Sequence, residues 1–160
     1  MKRPGFALLH YDGDTRTVTV VRTSAVNNKN KDKPHGQMLG ENAKELRTYL
    51  EQNPDAILVR EQALGMIGKS AQTVMTLNKM VGVSDLYAWA FGQRIFQEVH
   101  PKTAKKWVSG YGLKGKEGVA AALEKYVGPR EYESDDESDA VAVGVAWLLI
   151  NNYLDKKEDE

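Results

Sequence analysis

The stretch SDDESDAVAVGVAWLLINNYL, residues 134–154, constrains the chain more than any other. It reads as a helix with an apolar body and a head that carries four acids in five positions. Such a helix closes a core, and its head has to accommodate the charge. Carboxylates near a helix N-terminus are favoured by the positive end of the dipole, and Ser134 is a suitable N-cap. Those terms account for one or two acids. They do not account for Asp136 and Asp139, which stand three apart on one face where the helix turns apolar. The plain alternative for these residues alone is an exposed acidic helix start.

The rest of the chain supplies the elements for this helix to close. FALLHY (6–11) and TVTVVRTSAV (17–26) are rich in β-formers and flank DGDTR, a short turn with a permissive glycine, so a β-hairpin is expected. NNKNKDKPHG (27–36) reads as a loop. Leu39, Ala43, Leu46 and Leu50 fall at helical spacing and predict an amphipathic helix over 37–52. AILVRE (56–61) has the look of a buried strand closing on a charge, and a mobile loop follows it. TVMTLNKMVGVSDLYAWAFGQ (73–93) predicts a long helix with Gly82 as a mild weakness. On that helix Met75 and Met80 are expected in the core, with a partner-facing role as the alternative. RIFQEV (94–99) predicts a strand, and Pro101 opens a short helix in PKTAKKWVSG. Val119, Ala122, Leu123 and Tyr126 mark a further helix over 115–127. The order β, β, α, β, α, β, then helices, predicts an α/β fold with parallel pairing across helical crossovers.

Composition narrows the class. At 160 residues the chain is long enough for one full core, here a single domain over 1–154 with a solvated acidic tail at 155–160. Lys plus Arg, 22, equals Asp plus Glu, 22, so bulk charge predicts no partner. Cysteine is absent, which excludes a disulfide framework and a thiolate metal site and suits a reducing compartment. No apolar run reaches the roughly 18 residues of a membrane span, and MKRPGFALLH lacks the marks of a signal peptide. The expectation is a soluble cytoplasmic protein without a membrane partner.

Local clustering is more informative than bulk charge. Between Pro101 and Lys116 stand Lys102, Lys105, Lys106, Lys114 and Lys116, with no acid among them and with Trp107 and Tyr111 interleaved. A basic stripe with aromatics suits contact with a phosphate backbone, and a solvated lysine-rich surface is its plain alternative. GYGLKG (110–115) matches a nucleotide-loop pattern but leaves a helix where that pattern requires a strand. His10, His35 and His100 form no pair at ligand spacing. Trp89, Trp107 and Trp147 are expected to pack in the interior, with Trp107, among the lysines, the one candidate for stacking. Glu61 ends a buried strand, where sites of α/β sheets gather, with an ion pair to Arg60 or a lysine as the alternative. Together with Asp136 and Asp139 it makes three carboxylates whose mutual repulsion a hard divalent cation would relieve.

Three ordered segments resemble one family. AILVREQALGMIGKSAQTVMTLNKMVGVSDLYAWAFG is similar to the stretch of RuvC-type Holliday-junction resolvases in which a catalytic Glu at a strand end precedes a DNA-contacting loop and a long helix. VHPKTAKKWVSGYGLKGKEGV resembles their strand, short helix and glycine-rich segment with two functional lysines. DDESDAVAVGVAWL resembles their closing D-x-x-D-A-x-A motif, and short phage-type members are the nearest in kind. The resemblance implies an RNase H-like mixed sheet flanked by helices, a homodimer, Mg²⁺ with Mn²⁺ as a substitute, and paired nicks in four-way or branched DNA. If the source is a phage, the compartment is the host cytoplasm. Carried over, Glu61, Asp136 and Asp139 become metal ligands and catalytic residues. Lys105 and Lys116 become the lysines near the scissile phosphate, and Lys102, Lys106, Lys114 and Lys69 become DNA contacts.

One departure affects the expected activity. The family has a four-acid site whose first Asp ends the first strand, and PGFALLHYDGDTRTVTVVRTSAV resembles the second and third strands. The first strand and its Asp are then expected to be missing. A rival alignment makes ALLHYD the first strand and Asp12 the first acid. Two alternatives to a resolvase follow: a junction-binding protein impaired in cleavage, and an RNase H-like nuclease acting on RNA/DNA hybrids.

Overall fold

A computed structural model describes residues 4–26, 33–63, 71–93, 95–110 and 117–157. The chain divides into two compact units, one of Met1–Pro4 with Val26–Glu98 and one of Gly5–Ala25 with Val99–Glu160.

The second unit is built on a hairpin. Strands β1 (Gly5–Asp12) and β2 (Thr17–Ala25) pair antiparallel, with Gly5 opposite Ala25 and a register shift between Leu8 and Leu9. The turn is held by Asp12, whose Oδ1 accepts from the backbone N–H groups of Asp14 at 2.9 Å and Thr15 at 3.1 Å. Gly13 was expected to supply the permissive backbone, but the positive φ falls on Arg16, at 52°. The Arg16 side chain offsets that strain by reaching Asp155 and the carbonyl of Asn152, each at 2.9 Å.

Helices α3 (Pro101–Ser109), α4 (Glu117–Val127) and α5 (Asp135–Ile150) complete this unit. Helix α5 runs along β1 in the same direction. A Cβ on Gly5 would strike the carbonyl of Asp136, one on Gly144 would meet Leu9, and Tyr11 stacks edge-on with Tyr153. The spacings agree: Gly5 to Leu9 covers about 13 Å of strand and Asp136 to Gly144 about 12 Å of helix. The core gathers on α5 through Val141, Val145, Ala146 and Leu149, with Leu123 and Val108 fully buried beside it. The expected α4 face of Val119, Ala122, Leu123 and Tyr126 is buried as a whole. Helix α3 opens on Pro101, and His100 Nδ1 accepts from the Lys102 N–H at 3.1 Å, an N-cap that the histidine pattern did not suggest.

In the other unit α1 (His35–Gln52) and α2 (Ala71–Ala90) accompany β3 (Leu58–Glu61) and β4 (Ile95–Val99), which pair with each other. Helix α1 buries Ala43 and Leu50 as its spacing predicted, and its deepest residue is Asn42, with no exposed surface. The Asn42 amide donates to Met80 Sδ at 3.4 Å, so Met80 faces α1. Met75 and Trp89 overturn the expectation of a core role, being 59% and 78% exposed. Arg60 ties the elements together through Glu98 at 2.7 Å, Asp85 at 2.7 Å, Ser84 Oγ at 2.6 Å and the Val81 carbonyl at 3.3 Å.

Candidate metal and nucleic-acid site

In the hairpin unit the site is the head of α5 and the face of α3 beside it. Ser134 occupies the N-cap position as expected, yet its side chain makes no capping hydrogen bond and its Oγ is buried without a partner among the described residues. One of the open N–H groups at the head finds a backbone acceptor instead. The Glu137 N–H donates to the Ser134 carbonyl at 3.2 Å, and Ser138 Oγ donates to the Asp135 carbonyl at 2.9 Å.

Asp136 and Asp139 both lie at intermediate exposure in the first turns of α5. Lys105 of α3 brings its Nζ to 3.7 Å from Asp139 Oδ1, with both side chains open to solvent. That ion pair is weak in water. It still marks a place where carboxylate charge attracts a cation. Lys102, Lys105 and Lys106 are all exposed on α3, while Ala104 and Val108 are buried on its inner side. Trp107 is half-buried beside them, whereas Trp147 is core and stacks on Tyr153 with ring centres 5.4 Å apart.

Asp12, the rival first acid, lies at the other end of β1 from Gly5, which touches Asp136. The strand between them spans about 23 Å, so Asp12 shares no ion with Asp136 and Asp139. Its carboxyl is held below the ordinary carboxylate range, first by the Thr15 N–H and then by the Asp14 N–H. Its work is in the turn.

Glu61 is exposed at the end of β3 and belongs to the other unit. Its neighbour Arg60 projects to the opposite side of the strand and is engaged by Glu98 and Asp85. Within either unit, the described Asp, Glu and His side chains form no group of three able to hold an ion. Lys69, Lys114 and Lys116 lie outside the described residues.

The acid that the sequence did not single out is Glu137. It is 5% exposed, and its Oε2 accepts from Thr23 Oγ1 on β2 at 3.0 Å and from the Glu133 N–H at 3.3 Å. Nearby, burial pushes the Tyr132 hydroxyl above its usual range, and that hydroxyl finds no partner among the described residues. An acid-rich helix start looks solvated throughout, and nothing in its spacing marks one member as buried.

No protein-family model matches the chain. It is 33% identical over 107 residues to the crossover junction endodeoxyribonuclease RuvC of Syntrophomonas wolfei, a match covering 66% of this chain. The chain spans 60% of that relative's length. Its fold is similar to the Thermus thermophilus RuvC structure, with a TM-score of 0.73 at 16% identity over 92% of this chain and 88% of the other. The structure of T. thermophilus RuvC in complex with a Holliday junction substrate matches with a TM-score of 0.77, again at 16% identity, over 94% and 88% of the two chains. Sequence similarity and fold agree: the chain is similar to RuvC over much of its length and has the same RNase H-like α/β fold.

Proposed function

We propose that this protein is a divalent-metal-dependent endonuclease that resolves four-way or branched DNA junctions by paired nicks, acting in the cytoplasm as a homodimer. One observation carries the reading. Asp136 and Asp139 head a helix beside an exposed lysine face, in a chain similar to RuvC.

The donor set fits Mg²⁺, with Mn²⁺ able to substitute. Glu61, Asp136 and Asp139 offer only hard oxygen ligands, and Lys105 beside Asp139 supports an attraction for positive charge there. A bound ion would supply Lewis-acid polarisation of the scissile phosphate and ease deprotonation of the attacking water. The protein's own part is positional. Lys102, Lys105 and Lys106 draw in the phosphate backbone from α3, with Lys69, Lys114 and Lys116 as further contacts. In this reading Lys105 and Lys116 act at the scissile phosphate, each ammonium balancing charge that develops in the transition state.

The homodimer has a candidate surface on α2. Met75, Leu86 and Trp89 are 59%, 58% and 78% exposed. At about 100° per residue they lie within roughly 60° of one another on the helix, and Gly82 falls in the same stripe with open space beyond it. An apolar stripe of this kind suits a second helix, and two copies suit two symmetric cuts.

The second reading, a junction binder that does not cut, is favoured by the placement of Asp12 away from the aspartates. Incubation of a synthetic four-way junction with the protein and Mg²⁺ or Mn²⁺ separates the two. Nicks are expected, and Glu61→Gln and Asp139→Asn should each abolish them while leaving junction binding intact. Tight binding without nicks in the wild type supports the second reading, and nicking that persists in both variants removes these residues from the site. Preference for an RNA/DNA hybrid over the junction at one salt concentration would replace the substrate class.

A further inference from the structure

Asp136, Glu137, Ser138 and Asp139 are consecutive on α5 and differ in surroundings. Glu137 and Ser138 are buried, at 5% and 4% exposure, whereas the flanking aspartates reach solvent. A helix turns about 100° per residue, so an inward middle pair with an outward outer pair defines one rotational setting of α5. Glu137 holds that setting from two directions. Its Oε2 receives the Thr23 hydroxyl from β2 and the Glu133 N–H from the segment entering the helix. Gly5 adds a third restraint, because its missing side chain lets β1 meet the Asp136 carbonyl backbone to backbone. An apolar residue would fill the place of Glu137 without the desolvation penalty of a carboxylate. The Ser134 hydroxyl, which could have capped the helix, does not.

We propose that Glu137 is a positioning residue: buried between Thr23 and the Glu133 backbone, it fixes the rotation of α5 that presents Asp136 and Asp139 together to a divalent cation. The role rests on the metal site proposed above and assigns its geometry to a carboxylate that is not a ligand. Thr23 is the other half of the device, and its hydroxyl is the donor that ties the helix head to the sheet.

Calorimetric titration of the full chain with Mn²⁺ reads this role directly, alongside metal-free junction binding. Glu137→Ala is expected to weaken Mn²⁺ affinity about tenfold, as loss of an outer partner does at metal sites, with junction affinity unchanged. Glu137→Gln keeps an oxygen able to accept both hydrogen bonds and should recover most of the affinity. Thr23→Val keeps the shape, removes one donor and should shift affinity in the same direction by less. Wild-type Mn²⁺ affinity in both Glu137→Ala and Thr23→Val, with affinity lost in Asp139→Asn, overturns the positioning role and leaves the metal site standing. If Glu137→Ala does not fold, Thr23→Val decides alone, since it removes a single bond. A wild-type chain that takes up no Mn²⁺ overturns the metal site and this role with it.

Discussion

Helices α5 and α2 are both rich in apolar residues without one clear apolar face, and their neighbours treat them differently. In the hairpin unit α5 buries Val141 through Val143 and Val145 through Leu149. In the other unit α2 buries Ala88 and leaves Met75, Leu86 and Trp89 largely in solvent. A helix that is hydrophobic all round belongs in an interior. For α5 the chain itself supplies that interior. For α2 the chain leaves an apolar stripe exposed, which the homodimer proposed above would cover, so apolar character in the two helices meets two different surroundings.

The comparison breaks most visibly at Leu149. This side chain is 2% exposed on α5, and Leu149→Ala removes packing that no neighbour replaces. A loss of about 2–5 kcal/mol is expected, to be read from denaturant midpoints at constant slope. A loss within about 0.5 kcal/mol, the range of surface changes, would mean that α5 is not the centre of its unit.

The same logic sharpens α2 from the other side. Leu86→Lys with Trp89→Lys alters exposed positions, so monomer stability should move by no more than about 0.5 kcal/mol per site. Self-association, by contrast, should be lost. Sedimentation of wild type and double variant over a concentration series checks this. An unchanged oligomeric state would free the stripe from the dimer, and a large drop in stability would place it in a core.

Much of the fold was legible because most elements advertise a face. Leu39, Ala43, Leu46 and Leu50 predicted α1, and Val119, Ala122, Leu123 and Tyr126 predicted α4. The two apolar helices carry no such face, so Met75 and Trp89 were assigned to the interior on hydrophobicity alone. Asp136 and Asp139 were singled out by their spacing, and the metal role given to them is a proposal. Glu137 was not singled out, because its burial depends on Thr23, a residue more than a hundred positions away in sequence. The positive φ at Arg16 was hidden for a similar reason: Asp155 and Asn152 hold that side chain from the far end of the chain.

Acids divide as the helices do, and Asp12 supplies the gentlest test. At the far end of β1 from the aspartates, its carboxylate accepts two backbone N–H groups in the hairpin turn. These lower its pKa, the Thr15 N–H first. A depressed pKa in the folded state means that the charged form is favoured there. The stabilisation is therefore complete above the unfolded-state value, about 3.9, and disappears as pH falls through the lower folded value. Asp12→Asn keeps an acceptor but not the charge. Melting curves should place the wild type slightly above the variant at neutral pH and bring the two together in acid. Junction nicking should be the same in both, because Asp12 belongs to the turn. A variant that melts normally and no longer nicks would return Asp12 to the site and revive the alignment in which β1 is the family's first strand.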